Sequence, residues 1–148
     1  MCIRDRILSG HRVEVDLAPD LPLVDLDMVL FEHVLFNLLD NAAKYSPEGS
    51  LIGLQAAQEG PVVRLRVIDE GDGIPPADLP HVFEKFYRAG GADRRRAGTG
   101  LGLAICRGFV EAMAGTIEAA NRTDRPGAMI TITLPAPVQP SLEKEGAL

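Results

Sequence analysis

Residues 11–17 alternate, with Val13, Val15 and Leu17 on one side and Arg12, Glu14 and Asp16 on the other. That period of two predicts a strand, ended by Pro19, Asp20 and Pro22. The period then lengthens. Leu30, Val34, Leu35, Leu38, Leu39 and Ala42 recur at helical spacing and predict a helix capped by Asp25 or Asp27. It runs to about Lys44 and stops at Ser46-Pro47-Glu48-Gly49. Strands are predicted at 51–57 and 62–69, joined in a hairpin by Gln58-Glu59-Gly60-Pro61. Gly71, Gly73, Pro75 and Pro76 break the chain before a short helix expected over 77–86. Residues 89–100 carry Gly90, Gly91, Gly98, Gly100 and the run Arg94, Arg95, Arg96, and read as a mobile loop. A second long helix is expected over 101–114, ending at Gly115. Strands at 116–120 and 129–134 flank a turn at 123–127. The order β-α-β-β-α-loop-α-β-β predicts an α+β fold, a two-layer sandwich in which helices cover one face of a mixed sheet.

Length and composition narrow this picture. The 148 residues fit one domain, of a size that buries roughly 68–70% of its unfolded surface without staples. With 46% hydrophobic and 24% charged residues, disorder throughout is excluded. A net charge of −6 argues against a broad nucleic-acid-binding surface, so an anionic ligand needs local basic residues and helix ends. Two cysteines, Cys2 and Cys106, are too few for a disulfide framework or a four-cysteine zinc site and fit a reducing compartment. No apolar stretch approaches the roughly 20 residues of a membrane span, and no signal-peptide h-region stands at the N-terminus. The expected organisation is an extension at 1–10 that is foreign to the fold, a domain at 11–135, and a disordered tail at 136–148 begun by Pro135, Pro137 and Pro140.

Three clusters carry candidate chemistry. Asn37, Asn41 and Tyr45 line one helical stripe, with Lys44 beside it and the apolar residues pointing elsewhere. An asparagine oxygen can ligate Mg²⁺, which takes its other ligands from water and phosphates, and Lys44 can neutralise phosphate charge. A solvated helix face is the alternative, and spacing alone leaves both open. Next, an apolar strand delivers Asp69 to Glu70-Gly71-Asp72-Gly73-Ile74-Pro75. A carboxylate there can accept a hydrogen bond from an exocyclic amine such as adenine N6, while the glycines let a flat ring lie against backbone. Alone, such a motif is more often an ordinary turn. Third, Gly98-Thr99-Gly100-Leu101-Gly102-Leu103 opens a helix, where backbone N–H groups can reach phosphate oxygens. It is neither a P-loop, which needs Gly-Lys-Ser/Thr, nor a dinucleotide fingerprint, whose third glycine is replaced by Leu103.

The order and spacing of these clusters resemble the sensor histidine kinases. Residues 37–45 (NLLDNAAKY) resemble the N box, Asp69 to Gly73 the G1 box, 83–88 (FEKFYR) the F box, and Gly98 to Leu103 the G2 box. The resemblance covers about residues 11–134 and implies the ATP-binding fold shared with gyrase B, Hsp90 and MutL. The stretches 36–47 and 98–114 most resemble the KdpD type, membrane sensor kinases that control potassium-uptake genes. By this resemblance, Asn41 is the Mg²⁺ ligand and Asn37 the first N-box amide near the phosphates. Lys44 and Tyr45 contact phosphate and the nucleotide edge. Asp69 binds adenine over Gly71 and Gly73, with Ile74 beside them. Tyr87 and Arg88 approach the phosphates, and Gly98, Thr99, Gly100, Leu101, Gly102 and Leu103 frame the lid and phosphate cradle. Residues 89–97 form the lid.

Asn37 stands where the ATPases of that superfamily place a glutamate to activate water, and an amide cannot act as that base. Together with Lys44 it is the candidate catalytic residue, in a site built to hold ATP for transfer. The expected cofactors are ATP and Mg²⁺. None of His11, His33 or His81 has the context of the family's phosphorylated histidine, which lies on a helix before Glu or Asp. The acceptor is therefore expected on a separate dimerisation domain of a longer kinase, with a response regulator downstream. No nucleic-acid or membrane contact is expected of this fragment, which should be monomeric and cytoplasmic. Two rival readings are a conformational ATPase of the same fold and a degenerate, non-catalytic docking module. Bland readings attach to other residues: Phe83, Phe86 and Met113 to packing, Cys106 to a helix interior, and Glu70 and Asp72 to a solvent-facing turn.

Overall fold

The described residues, 11–19, 27–84 and 102–136 of a computed structural model, form five strands and two α-helices. In chain order they are β1 (Arg12–Leu17), α1 (Met28–Tyr45), β2 (Leu51–Glu59), β3 (Val62–Ile68), α2 (Gly102–Ala112), β4 (Thr116–Asn121) and β5 (Ala128–Pro135). The sheet order is β1-β2-β3-β5-β4, with β1 parallel to β2 and every other pair antiparallel. This is the expected mixed sheet.

Alternation along β3 explains why helices cover one face. Val63, Leu65 and Val67 are buried, opposite Ala56 of β2 and Ile132 and Leu134 of β5. Val34, Leu38 and Ala42 of α1 and Cys106 and Val110 of α2 close the same core. Each such large apolar side chain stabilises the fold by about 1.5–3 kcal/mol on burial. Arg64 and Arg66 point from the opposite face of β3 and meet Glu59 at 2.6 and 3.4 Å. Cys106 sits in the helix interior, as expected, and burial pushes its thiol pKa up to about 12.

Asp27 is the cap of α1, accepting from the N–H groups of Val29 and Leu30 at 3.0 and 3.2 Å, and Asp25 lies outside the described residues. The hairpin connection is tighter than expected: Glu59 pairs with Val62, leaving Gly60-Pro61 as the turn. In the described part of the short helix expected over 77–86, residues 77–84, there is instead a single 3₁₀ turn, Leu79–His81, and residues 85–86 lie outside the described residues. Pro80 has no N–H to offer an α ladder, and the local bonds are of the i to i+3 kind, such as His81 N–H to Asp78 C=O at 2.9 Å. Of the alternating residues in β1, Val13 packs against the core, while Val15 and Leu17 are each 52% exposed because β1 is an edge strand.

The end of α2 also differs from expectation. Ala114 takes the left-handed conformation (φ +65°), with its N–H donating to Glu111 and that of Gly115 to Val110, at 3.0 and 2.9 Å. Gly115 is needed for space: a Cβ there would lie 2.6 Å from the Thr133 carbonyl oxygen.

Candidate functional site

The inward alternation of β3 continues one residue past the strand and makes Asp69 a buried carboxylate. Its Oδ1 accepts from the N–H groups of Gly71 at 2.9 Å and Ala128 at 3.0 Å. Its main chain is fixed as well: Asp69 N–H donates to Ala128 C=O, and the Arg122 guanidinium donates to Asp69 C=O, both at 3.0 Å. Burial raises the carboxyl pKa above its ordinary value, against the smaller opposing effects of the two N–H donors and Arg122. Among the described residues Oδ2 accepts no hydrogen bond, so the carboxylate is held at one oxygen and open at the other.

The loop after Asp69 is shaped by close backbone approach. A Cβ at Gly71 would lie 2.2 Å from the Tyr45 carbonyl oxygen, so this loop meets the end of α1 main chain to main chain. Gly73 has φ +86° and borders the Asn121 side chain. Asn121 accepts from Ile74 N–H at 2.6 Å and donates to Ile74 C=O at 2.7 Å. Asp72 is exposed, as expected. Glu70 is no free turn residue: it is half-buried, accepts from Leu51 N–H at 3.0 Å and pairs with Arg125 at 3.1 Å. The Leu51 bond is the main cause of its lowered pKa.

On α1, Asn37, Asn41 and Tyr45 are all half-buried, on a stripe that borders the buried Val34–Leu38–Ala42 row instead of lying opposite it. The stripe is therefore partly shielded from solvent, with Lys44 beside it exposed. Asn37 donates to His33 C=O at 3.0 Å, and its Oδ1 lies 3.5 Å from the Cβ position of Gly102. This brings α1 to the first turn of α2. Lys44 is exposed and paired with Asp40 at 3.0 Å. Leu103 packs partly against the core, so its side chain serves packing. Tyr87, Arg88, Gly98, Thr99, Gly100 and Leu101 lie outside the described residues.

Two contacts thus join the three sequence clusters, Tyr45 to Gly71 and Asn37 to Gly102. Asn121, Arg122 and Gly127 were missed. A Cβ at Gly127 would lie 2.2 Å from the Asp69 carbonyl oxygen. In sequence they are a strand end and an ordinary turn, with no signal tying them to Asp69. The arrangement suits a nucleotide: a half-open carboxylate, a close-packed loop whose glycines leave no room for side chains against Tyr45 and Asn121, and amide oxygens on the adjoining helix. Among the described residues no cluster of His, Cys, Asp or Glu could hold a metal, so a cation here would rest on asparagine and on the ligand's own phosphates. No described helix is long and apolar enough to cross a membrane.

Comparison with known proteins places this geometry. Residues 26–138 match the family described as histidine kinase-, DNA gyrase B-, and HSP90-like ATPase. The chain is 43% identical over 132 residues to the sensor protein KdpD of Escherichia coli strain K12, covering 89% of this chain and 14% of that protein. It is 42% identical over 140 residues to the sensor histidine kinase WalK of Bacillus subtilis strain 168, covering 90% and 23%. Among solved structures, the mycobacterial sensor histidine kinase MprB superposes with a TM-score of 0.79 at 36% identity, covering 90% of this chain and 88% of that one. The chain spans about one seventh of the KdpD relatives it matches. The family binds ATP, so nucleotide binding follows, and the chain belongs to the histidine kinase-, DNA gyrase B-, and HSP90-like ATPase family as a domain of the sensor-histidine-kinase kind.

Proposed function

We propose that this chain is the catalytic ATP-binding domain of a two-component sensor histidine kinase of the KdpD type. It binds Mg-ATP and presents the γ-phosphate to a histidine on a separate dimerisation domain. The observation that carries the reading is Asn37: an amide beside Gly102, at the junction of the two helices. Glu32 and Asp40 lie off the stripe of Asn37, Asn41 and Tyr45, so neither offers itself as a substitute base.

Bound ATP supplies the transferable phosphoryl group. Asp69 accepts from adenine N6 through its open oxygen, and Gly71 and Gly73 give the ring a floor. Asn41 offers its amide oxygen to Mg²⁺. Lys44 exchanges Asp40 for phosphate, and Asn37 orients the phosphate end near the first N–H groups of α2. Asn37 and Tyr45 are two helical turns apart, about 12 Å along the axis, a span suited to an extended nucleotide. Positioning and charge neutralisation dominate phosphoryl transfer, which suits a site without its own nucleophile. The domain is assigned to 11–135, and the family resemblance adds Tyr87, Arg88 and residues 98–101 as phosphate contacts. The partners are the histidine-bearing domain of the same kinase and, downstream, a response regulator. The domain is a monomer on the cytoplasmic side of the membrane.

The test supplies the histidine-bearing domain of the same kinase together with γ-labelled ATP. Label on that histidine, with slow phosphate release when it is omitted, is the expected result. Rapid release without the acceptor would favour the conformational ATPase, and absence of nucleotide binding the docking module.

A further inference from the structure

The β4–β5 hairpin lies outside every motif that the sequence singled out, yet it fixes the loop that carries Asp69. Asn121, the last residue of β4, spends both ends of its amide on one residue 47 positions earlier, accepting from Ile74 N–H at 2.6 Å and donating to Ile74 C=O at 2.7 Å. A side chain thereby reproduces the paired bonds that a neighbouring strand would make. A Cβ at Gly73 would lie 2.8 Å from Asn121 Oδ1, so the amide also fills the space beside the left-handed residue. Arg122 donates to Asp69 C=O and is itself gripped by Asp124 through two bonds of 3.1 and 3.0 Å. Ala128, at the start of β5, donates to Asp69 Oδ1. The loop from Asp69 to Ile74 is thus tied at both ends to this hairpin.

We propose that Asn121 is a positioning residue for base recognition: its two bonds to Ile74 hold the 71–74 floor and the Asp69 carboxylate in the register that separates adenine from guanine. The inference rests on the nucleotide reading of the site. Among the described residues, Asn121 makes no hydrogen bond to the phosphate end formed by Asn37, Asn41 and the start of α2. Loosening the clamp therefore acts on the base and leaves the polyphosphate alone.

The experiment measures binding of ADP, GDP and inorganic tripolyphosphate, each with Mg²⁺, to the wild type, Asn121→Ala and Asn121→Asp. The aspartate keeps the size and the acceptor for Ile74 N–H but sets a carboxylate oxygen against Ile74 C=O. Both variants should bind ADP about tenfold more weakly, as expected for one or two lost hydrogen bonds, with GDP and tripolyphosphate unchanged. Should Asn121→Ala fail to fold, the aspartate variant alone decides. An unchanged ADP-to-GDP ratio, or equal losses for ADP and tripolyphosphate, overturns the assignment while leaving the nucleotide site standing. A folded wild type that binds none of the three overturns the site reading and this inference with it.

Discussion

Replacing Asp69 by asparagine reverses the hydrogen-bonding sense of a single atom. An asparagine whose Oδ1 takes the place of the aspartate Oδ1 keeps the bonds from Gly71 and Ala128, at 2.9 and 3.0 Å. Its Nδ2 then stands where the open Oδ2 was and faces the base as a donor. Adenine N6 is also a donor, whereas guanine carries a carbonyl at the corresponding position. A hydrogen bond to a charged acceptor contributes about 1.5–3 kcal/mol, so ADP affinity should fall by about tenfold to a hundredfold. GDP affinity should hold or rise. The fold should not suffer. Burial raises the Asp69 pKa, so its contribution to stability is fully present below the ordinary value of 3.8 and is lost as pH rises through the raised value. The asparagine does not titrate. Relative to wild type, it should gain stability as pH climbs through that window and keep the gain at neutral pH. Calorimetry with ADP and GDP tests the first part, and thermal melts across pH 3–8 the second. An unchanged ADP-to-GDP ratio, or a variant more than about 1 kcal/mol less stable at pH 7, a cost on the scale of one lost hydrogen bond, would refute the reasoning.

Three further outcomes are expected. Gly71→Ala pushes a Cβ to 2.2 Å from a main-chain oxygen that no rotamer change can move, so it should destabilise by about 1–3 kcal/mol, seen as a lower Tm and weaker ADP binding. An unchanged Tm would contradict the close approach of α1 and the loop. Ala114→Gly should raise the unfolding free energy read from denaturant melts by about 0.5–1 kcal/mol, because a left-handed alanine costs about 1–2 kcal/mol and the flexibility of glycine offsets only part of the gain. Asn41→Ala should abolish the Mg²⁺-dependent part of nucleotide affinity while leaving binding in EDTA nearly intact; equal loss in both conditions would remove Asn41 from the metal site.

What was legible in the sequence is what short-range patterning controls. The helical recurrence of Val34, Leu38 and Ala42 follows from burial against one core, so periodicity revealed it. The G1-like turn was legible because its glycines and carboxylate are consecutive. Elements governed by long-range partners were not. Glu70 looks like a turn residue until Leu51, 19 positions away, supplies its N–H. Asn121 looks like a strand end until the hairpin brings it to Ile74. Val15 and Leu17 alternate correctly yet stay half-exposed, because alternation does not reveal that β1 lies at the sheet edge. The misread helix at 77–86 is different in kind: Pro80 was visible, and its missing N–H should have outweighed the apolar spacing.

The central proposal is a nucleotide seated between Asp69, the asparagine stripe of α1 and the start of α2. Calorimetric titration of the folded chain with ADP and a non-hydrolysable ATP analogue, each with and without Mg²⁺, tests this most directly. The expected result is saturable one-to-one binding that Mg²⁺ strengthens and that weakens when guanine replaces adenine. A flat titration from folded protein, or binding indifferent to both Mg²⁺ and the base, would contradict it.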